Sequence, residues 1–355
     1  MPETTSAVAP SLSSSRLLRR WIWVLLVAMA VCVGRAATSQ NENLLDLKRY
    51  AQLGEKSPFQ ERVLMAYPIR AAGESRAFHW IYESLFQKTV ASPEDLAVSL
   101  INCMCLLGLL PVVEAMRRSL GPPPETTWLA PVMTMMIVAL TYVVHFEQRY
   151  TMPYDQPSLL LYSVGLLAVV RRQGWLLLLV LAVATPNRET VVFLLPAWMY
   201  LLWREGRRLA AVGYSVAGAA IWLGWRMGIA HLLHEGRQAW DLPWKNNLMS
   251  LAVPLHWPQL LEVFGFLAIP MWLLRPYVTD RRLRALWVGT IPFLAAALVV
   301  GVWRETRIFG ELSALAGVTF AVEIEAAVRR RCGMAAGDDA VAASERAMGA
   351  GHGPA

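Results

Sequence analysis

Residues 171–204 read RRQGWLLLLVLAVATPNRETVVFLLPAWMYLLWR. Two apolar runs, Trp175 to Thr185 and Thr190 to Trp203, are joined by the polar tip Pro186-Asn187-Arg188-Glu189, and arginines close both open ends. Short loops rich in Lys and Arg stay on the cytoplasmic side of a membrane, so the stretch reads as a hairpin that enters and leaves from the cytoplasm. Each leg from its basic cluster to the tip has about 15 residues and rises ~22 Å as a helix. That falls short of the ~30 Å hydrocarbon layer. The tip is expected to stop inside the outer leaflet, where Arg188 and Glu189 must pair or line a wet cavity.

The same punctuation recurs outward from the hairpin. Arg16 with Arg19-Arg20, Arg117-Arg118, Arg207-Arg208, Arg275 with Arg281-Arg282-Arg284, and Arg329-Arg330-Arg331 all fall at one end of successive apolar segments. The fold class expected is all-α: a polytopic transmembrane bundle of about ten spans with both termini cytoplasmic. Besides the hairpin legs, the spans are Trp21 to Ala37, Pro93 to Met116, Thr127 to His145, Pro157 to Val170, Leu209 to Ala230, Leu260 to Leu274, Ala285 to Trp303 and Ile308 to Ala327. Ser92-Pro93-Glu94-Asp95 opens the second span with a cap, a proline and acids at the positive end of the helix dipole.

Residues 1–15 are rich in Ser, Ala and Pro and read as a disordered cytoplasmic N-terminus. Residues 16–332 form the membrane domain, and 333–355 a disordered Gly/Ala-rich cytoplasmic tail. Arg16 to Val33 has the basic and apolar regions of a signal peptide, but Gly34-Arg35-Ala36 is a poor cleavage site, so the first span is expected to stay. The first outer loop, 38–91, is too polar to span. Leu44, Leu45, Leu47 and Tyr50, then Phe78, Ile81 and Leu85, give it the helical periodicity of segments lying on a membrane surface. A second large outer loop covers 231–257.

Composition agrees. The chain of 355 residues is 56% hydrophobic and only 17% charged, where a soluble domain carries about 25% charge. Its net charge of +7 comes mostly from the basic turns, which suit anionic lipid rather than nucleic acid. Fifteen tryptophans suit interfacial belts. No P-loop, Gly-rich dinucleotide turn, G-x-S-x-G or H-E-x-x-H motif is present. No cofactor is called for, and no metal-ligand set is indicated: His231 and His234 lack a third ligand, and Cys103 and Cys105 sit mid-helix. Gly224 and Gly228 read as a small-residue helix-packing pair.

The chemistry gathers at the outer ends. The first loop offers Glu42, Asp46 and Arg62. The turn before the fourth span offers Glu147, Arg149, Tyr150, Tyr154 and Asp155. The hairpin tip offers Arg188 and Glu189, the last outer turn Arg304, Glu305 and Arg307, and Arg226 lies one turn inside the seventh span. Arginines at the depth of an outer leaflet suit a lipid phosphate, because guanidinium binds it bidentately. Arg62, Arg188, Arg304 and Arg307 are the expected phosphate ligands, supported by Tyr154, Asp155, Glu189, Glu305 and Arg226. A nearby carboxylate can serve as general base toward an acceptor hydroxyl.

This layout resembles the GT-C superfamily of membrane glycosyltransferases. Pro58-Phe59-Gln60-Glu61-Arg62-Val63-Leu64, Tyr154-Asp155-Gln156-Pro157, Asn187-Arg188-Glu189-Thr190 and Arg304-Glu305-Thr306-Arg307-Ile308-Phe309 with Glu311 also look like a group of bacterial multi-span proteins loosely placed in that superfamily. The resemblance spans roughly 21–327. It implies a bacterial inner-membrane enzyme that moves a sugar from a polyprenyl-phosphate donor to an envelope glycan or lipid acceptor on the extracytoplasmic face. The superfamily's catalytic acid would fall at Asp46, with Glu42 as rival. The chain departs from the pattern in lacking an Asp-x-Asp pair in the first loop and a large soluble domain after the last span. Two other classes remain: a transporter or flippase for lipid-linked glycans, for which the inner half of the spans offers only Glu323 and Glu325, and a non-catalytic scaffold of envelope assembly.

Overall fold

The computed structural model describes residues 12–38, 45–55, 59–121, 126–144, 151–233, 243–277, 280–301, 303 and 305–331. Among these the chain is helical, with no strand. Helix α1 is Leu12–Thr38, so helix begins four residues inside the stretch expected to be disordered. The first loop contributes α2 (Leu47–Ala51), α3 (Ala66–Glu74) and α4 (Arg76–Ile81). The bundle continues with α5 (Pro93–Ser119), α6 (Leu129–Tyr142), α7 (Asp155–Val170), α8 (Gly174–Ala184), α9 (Leu194–Arg204) and α10 (Arg208–Leu232). The second loop gives α11 (Trp244–Ala252), followed by α12 (Trp257–Glu262), α13 (Ala268–Leu274), α14 (Arg281–Val300) and α15 (Ser313–Arg331).

Among the described residues three helices are long and apolar enough to cross a membrane: Leu17–Thr38 within α1, all of α5, and α14, with mean hydropathies of 1.8, 2.3 and 1.9. The apolar helices α6, α7 and α8 are shorter, at 14, 16 and 11 residues. Large apolar side chains on outward faces, such as Leu25, Met104, Trp175, Leu209 and Ile291, stay exposed. Apolar surface of this kind suits a lipid environment better than water. Exposed Tyr67, Trp80 and Leu85 extend it along the first loop.

The basic turns do collect at one end. A buried Arg117 pairs with Glu325 and donates to Leu120 O at 2.6 Å, and Thr126 also donates to Glu325. Arg171 donates to Ser119, Gly121 N donates to Asp280, and Arg330 lies over the Tyr277 ring. Turns far apart in sequence thus share one end of the bundle.

Two expectations need correction. The eighth span, Leu260 to Leu274, is not one helix. It breaks between α12 and α13, where Phe264, Gly265 and Phe266 all have positive φ. Side-chain packing holds this unfavourable backbone: Phe264 meets Trp287 edge-on at 5.8 Å, and Gly265 lies close against Ile137. The pair Gly224 and Gly228 faces open space instead of a neighbouring helix. On α10 it is Gly218 that admits the side chains of Leu181 and Leu195.

The closest helix approaches are made by other glycines. A Cβ at Gly317 would fall 2.6 Å from Thr134 N, and one at Gly289 would fall 2.7 Å from Ala197 N. Both obstacles are backbone, so no rotamer change relieves them. Gly289→Val is expected to cost about 1–3 kcal/mol or more by prying α9 from α14. Gly224→Ala is expected to stay within about 0.5 kcal/mol of the parent. Thermal unfolding of the two variants in the same detergent checks this.

Candidate functional site

The site lies at the end of the bundle opposite the basic turns, and its frame is the hairpin tip. After α8, Asn187 N and Arg188 N both donate to Ala184 O, which closes the helix and turns the chain. The Asn187 side chain then donates to Tyr154 O at 3.0 Å and to Ser158 Oγ at 2.7 Å, fixing the tip against the start of α7. Leu64 N donates to Pro186 O, which ties the first loop to the same tip.

Arg188, only 5% exposed, projects between two buried acids. Its Nη1 lies 3.5 Å from Asp155 Oδ1, and its Nε lies 3.3 Å from Glu311 Oε1. The short-leg arithmetic thus leads to a buried, ion-paired arginine. Asp155 is the first residue of α7, where the helix dipole favours a carboxylate. Its Oδ2 accepts from Met152 N at 2.8 Å, and its Oδ1 also faces Arg307 Nη1 at 3.6 Å. Glu311 lies on the 3₁₀ turn Thr306–Leu312 and accepts from Thr190 Oγ1 at 2.7 Å. Gly310 is required beside it, because a Cβ there would run into the Tyr142 ring.

The remaining charges surround this centre. The Arg62 guanidinium lies 4.2 Å above the Tyr154 ring, its Nη2 is 3.6 Å from Glu189 Oε1, and its carbonyl accepts from Tyr50 Oη. Arg307 also pairs with Glu305 at 2.6 Å, and Arg226 on α10 pairs with Glu61 at 2.8 Å. Trp222 Nε1 donates to Glu189 O. Burial disfavours the Arg62 cation, but the neighbouring Tyr154, Glu189 and Asp155 outweigh it and hold its pKa above the ordinary value.

A cavity of about 360 Å³ opens at this cluster. Its lining combines the charged Arg62, Arg188, Arg307, Glu189 and Glu305 with the apolar Phe193, Phe293, Ala297, Val300 and Ile308. The buried guanidinium atoms Arg62 Nε, Arg188 Nε and Nη1, and Arg307 Nε have no acceptor in hydrogen-bond geometry. A buried, unused donor of this kind is costly unless something accepts from it.

The structure therefore brings together Arg62, Tyr154, Asp155, Arg188, Glu189, Arg226, Glu305 and Arg307. Glu42, Arg304, Glu147, Arg149 and Tyr150 lie outside the described residues. Asp46 is elsewhere in function: it caps α2, its Oδ1 accepting from Lys48 N and Arg49 N, and it does not line the cavity. Asn187, Trp222, Tyr142 and Glu311 are central in space. Asn187 and Glu311 stand in the stretches that carry the resemblance but have no role assigned from sequence, and Trp222 and Tyr142 are not singled out there. For Glu311 the available signal is an acid inside an apolar stretch. Asn247 carried no such signal. Buried on α11, it caps the end of α14 by donating to Leu298 O and Gly301 O and accepting from Trp303 N. Among the described residues no cluster of His, Cys, Asp and Glu is arranged to hold a metal. Comparison with protein-family models, curated proteins and solved structures finds no match.

Proposed function

We propose that this chain is a multi-pass membrane protein of about ten spans, with its basic end cytoplasmic, that transfers a sugar from a polyprenyl-phosphate donor to an envelope acceptor at the opposite face. The observation that carries the reading is the mixed lining of this cavity, Arg62, Arg188 and Arg307 together with Phe193, Phe293, Val300 and Ile308. A phosphate attached to a hydrocarbon chain matches both kinds of lining at once. In the transfer, the acceptor hydroxyl oxygen bonds to the sugar's anomeric carbon as the carbon–oxygen bond to phosphate breaks. The phosphate keeps the bonding electrons, and Arg62, Arg188 and Arg307 stabilise that developing charge. The hydroxyl proton passes to a carboxylate. Glu189 is assigned that role over Asp46, because it lines the cavity and is the more open of the two acids there.

The deciding experiment measures polyprenyl-phosphate binding by the purified protein and sugar transfer in membranes. Arg62→Ala is expected to weaken donor binding about 10–100-fold, the worth of a charged hydrogen bond. Asp46→Asn is expected to change neither, since Asn caps a helix as well as Asp. Absence of donor binding by the parent protein overturns the proposal; loss of transfer in Asp46→Asn returns the base to Asp46. The non-catalytic scaffold is the second reading. It is favoured by one observation: Arg62, Arg188, Arg226 and Arg307 each already face a carboxylate.

A further inference from the structure

The geometry points to a second anion site at the basic end of the bundle, one that takes a phosphate group. This inference is independent of the transfer reading. Helices α9 and α14 cross closely where Gly289 meets Ala197. That crossing sets Arg204, the last residue of α9, beside Arg281, the first of α14. Between them opens a cavity of about 510 Å³, lined also by Arg172, Arg282 and Arg284.

Two acids line the same cavity, and both are already engaged. Glu205 is gripped by Arg172 through Nε at 2.7 and 2.9 Å and through Nη2 at 2.5 Å. That hydrogen bond, together with the charge of Arg172, holds Glu205 below the usual carboxylate range. Asp280 accepts from Arg282 N, from the Arg282 guanidinium and from Gly121 N. Arg204, Arg281 and Arg284 have no ion-pair partner among the described residues and line the cavity with uncompensated charge. Arg172 has φ +57°, a left-handed conformation that a glycine would normally take at a helix end. Its side chain occupies Glu205, which leaves the other arginines available.

Positive residues at a cytoplasmic end also orient a membrane protein without binding anything. Orientation alone needs charge, not convergence. Here positive residues from three separate turns meet around one concavity, and every one of them is arginine, the side chain that forks onto phosphate. Arg284 is shared with an adjoining, mostly apolar cleft of about 590 Å³ that includes Phe264, Met271, Trp272 and Trp287, with Arg275 and Glu323 as its other charged residues. The shared arginine lets one ligand place a phosphate in the basic cavity and a hydrocarbon chain in the cleft. A free phosphate or diphosphate would fill the cavity alone.

The test uses the full chain purified in a neutral detergent. Binding of dioctanoyl phosphatidic acid and of inorganic pyrophosphate is measured by calorimetry, with dioctanoyl phosphatidylcholine as control. The variant is Arg204→Lys/Arg281→Lys/Arg284→Lys, which keeps the charge and hence the topology but removes the forks. The expected result is binding by the parent protein that falls about tenfold or more in the lysine variant, with the unfolding midpoint unchanged. Binding of phosphatidic acid without pyrophosphate assigns a lipid headgroup, and equal binding of both assigns a free phosphate. Arg62→Ala run in parallel excludes the opposite cavity by leaving this binding in place. Equal affinity of parent and lysine variant, or no binding of either phosphate probe, overturns the inference.

Discussion

Arg188→Ala is expected to cost the folded protein about 3–5 kcal/mol, the penalty for breaking a buried ion pair by deleting one partner. The loss is large because Arg188 serves two acids. Without it, Asp155 and Glu311, at 0% and 1% exposed, remain buried in the same neighbourhood. Arg307 still reaches Asp155 at 3.6 Å, but among the described residues Glu311 forms an ion pair only with Arg188. Denaturant or thermal unfolding in detergent micelles measures the loss, and recovery of monodisperse protein from membranes gives a second readout. Adding Glu311→Gln to Arg188→Ala is expected to recover part of the deficit, because it removes the stranded charge. If Arg188→Ala unfolds at the parent's midpoint, the pairs do not hold the hairpin tip. Arg188→Lys is expected to fall between the two: it keeps the charge but not the fork that reaches both acids.

Glu189→Gln is expected to lower sugar transfer 10²–10⁴-fold, the usual contribution of a general base, while leaving the protein folded. The sign of the binding change is the more telling result. Arg62 lies 3.6 Å from Glu189, too long for a good hydrogen bond. A donor phosphate that draws Arg62 away frees the Glu189 carboxylate to accept the hydroxyl proton. Glutamine keeps the shape and releases Arg62 from its competing carboxylate. Donor binding is therefore expected to hold or tighten as transfer collapses. Parallel transfer and binding assays at matched protein levels check both arms. Transfer at the parent's rate, or binding that weakens in step with transfer, removes Glu189 from the base role.

The sequence alone carried the helical character, the segregation of basic turns to one end, and the burial of Arg188; Glu189, expected to be buried with it, keeps 39% of its side chain exposed. Each of these is local. An apolar run has a length, a loop has a charge, and 1.5 Å per residue converts one into the reach of the other. That is why Arg188 could be placed below the surface before any partner was known. The helix start at Ser92 was legible for the same reason: its side chain accepts from Asp95 N, a contact three residues away.

Tertiary structure decided everything that depends on which helices meet. Asp155, Arg188 and Glu311 come from segments separated by 33 and 123 residues, and no spacing in the chain announces their contact. Asp46 shows the converse. Its position after the first span suggested chemistry, while its side-chain partners are the backbone amides two and three residues on, those of Lys48 and Arg49. The break inside 260–274 was hidden because a continuous apolar run satisfies the burial requirement whether the backbone is one helix or two. Only the packing of Phe264 on Trp287 and of Gly265 against Ile137 chooses between them. Hydropathy fixes where a segment lies. Side-chain interlocking between distant segments, which costs or gains several kcal/mol per contact in a close-packed interior, fixes what each charge faces.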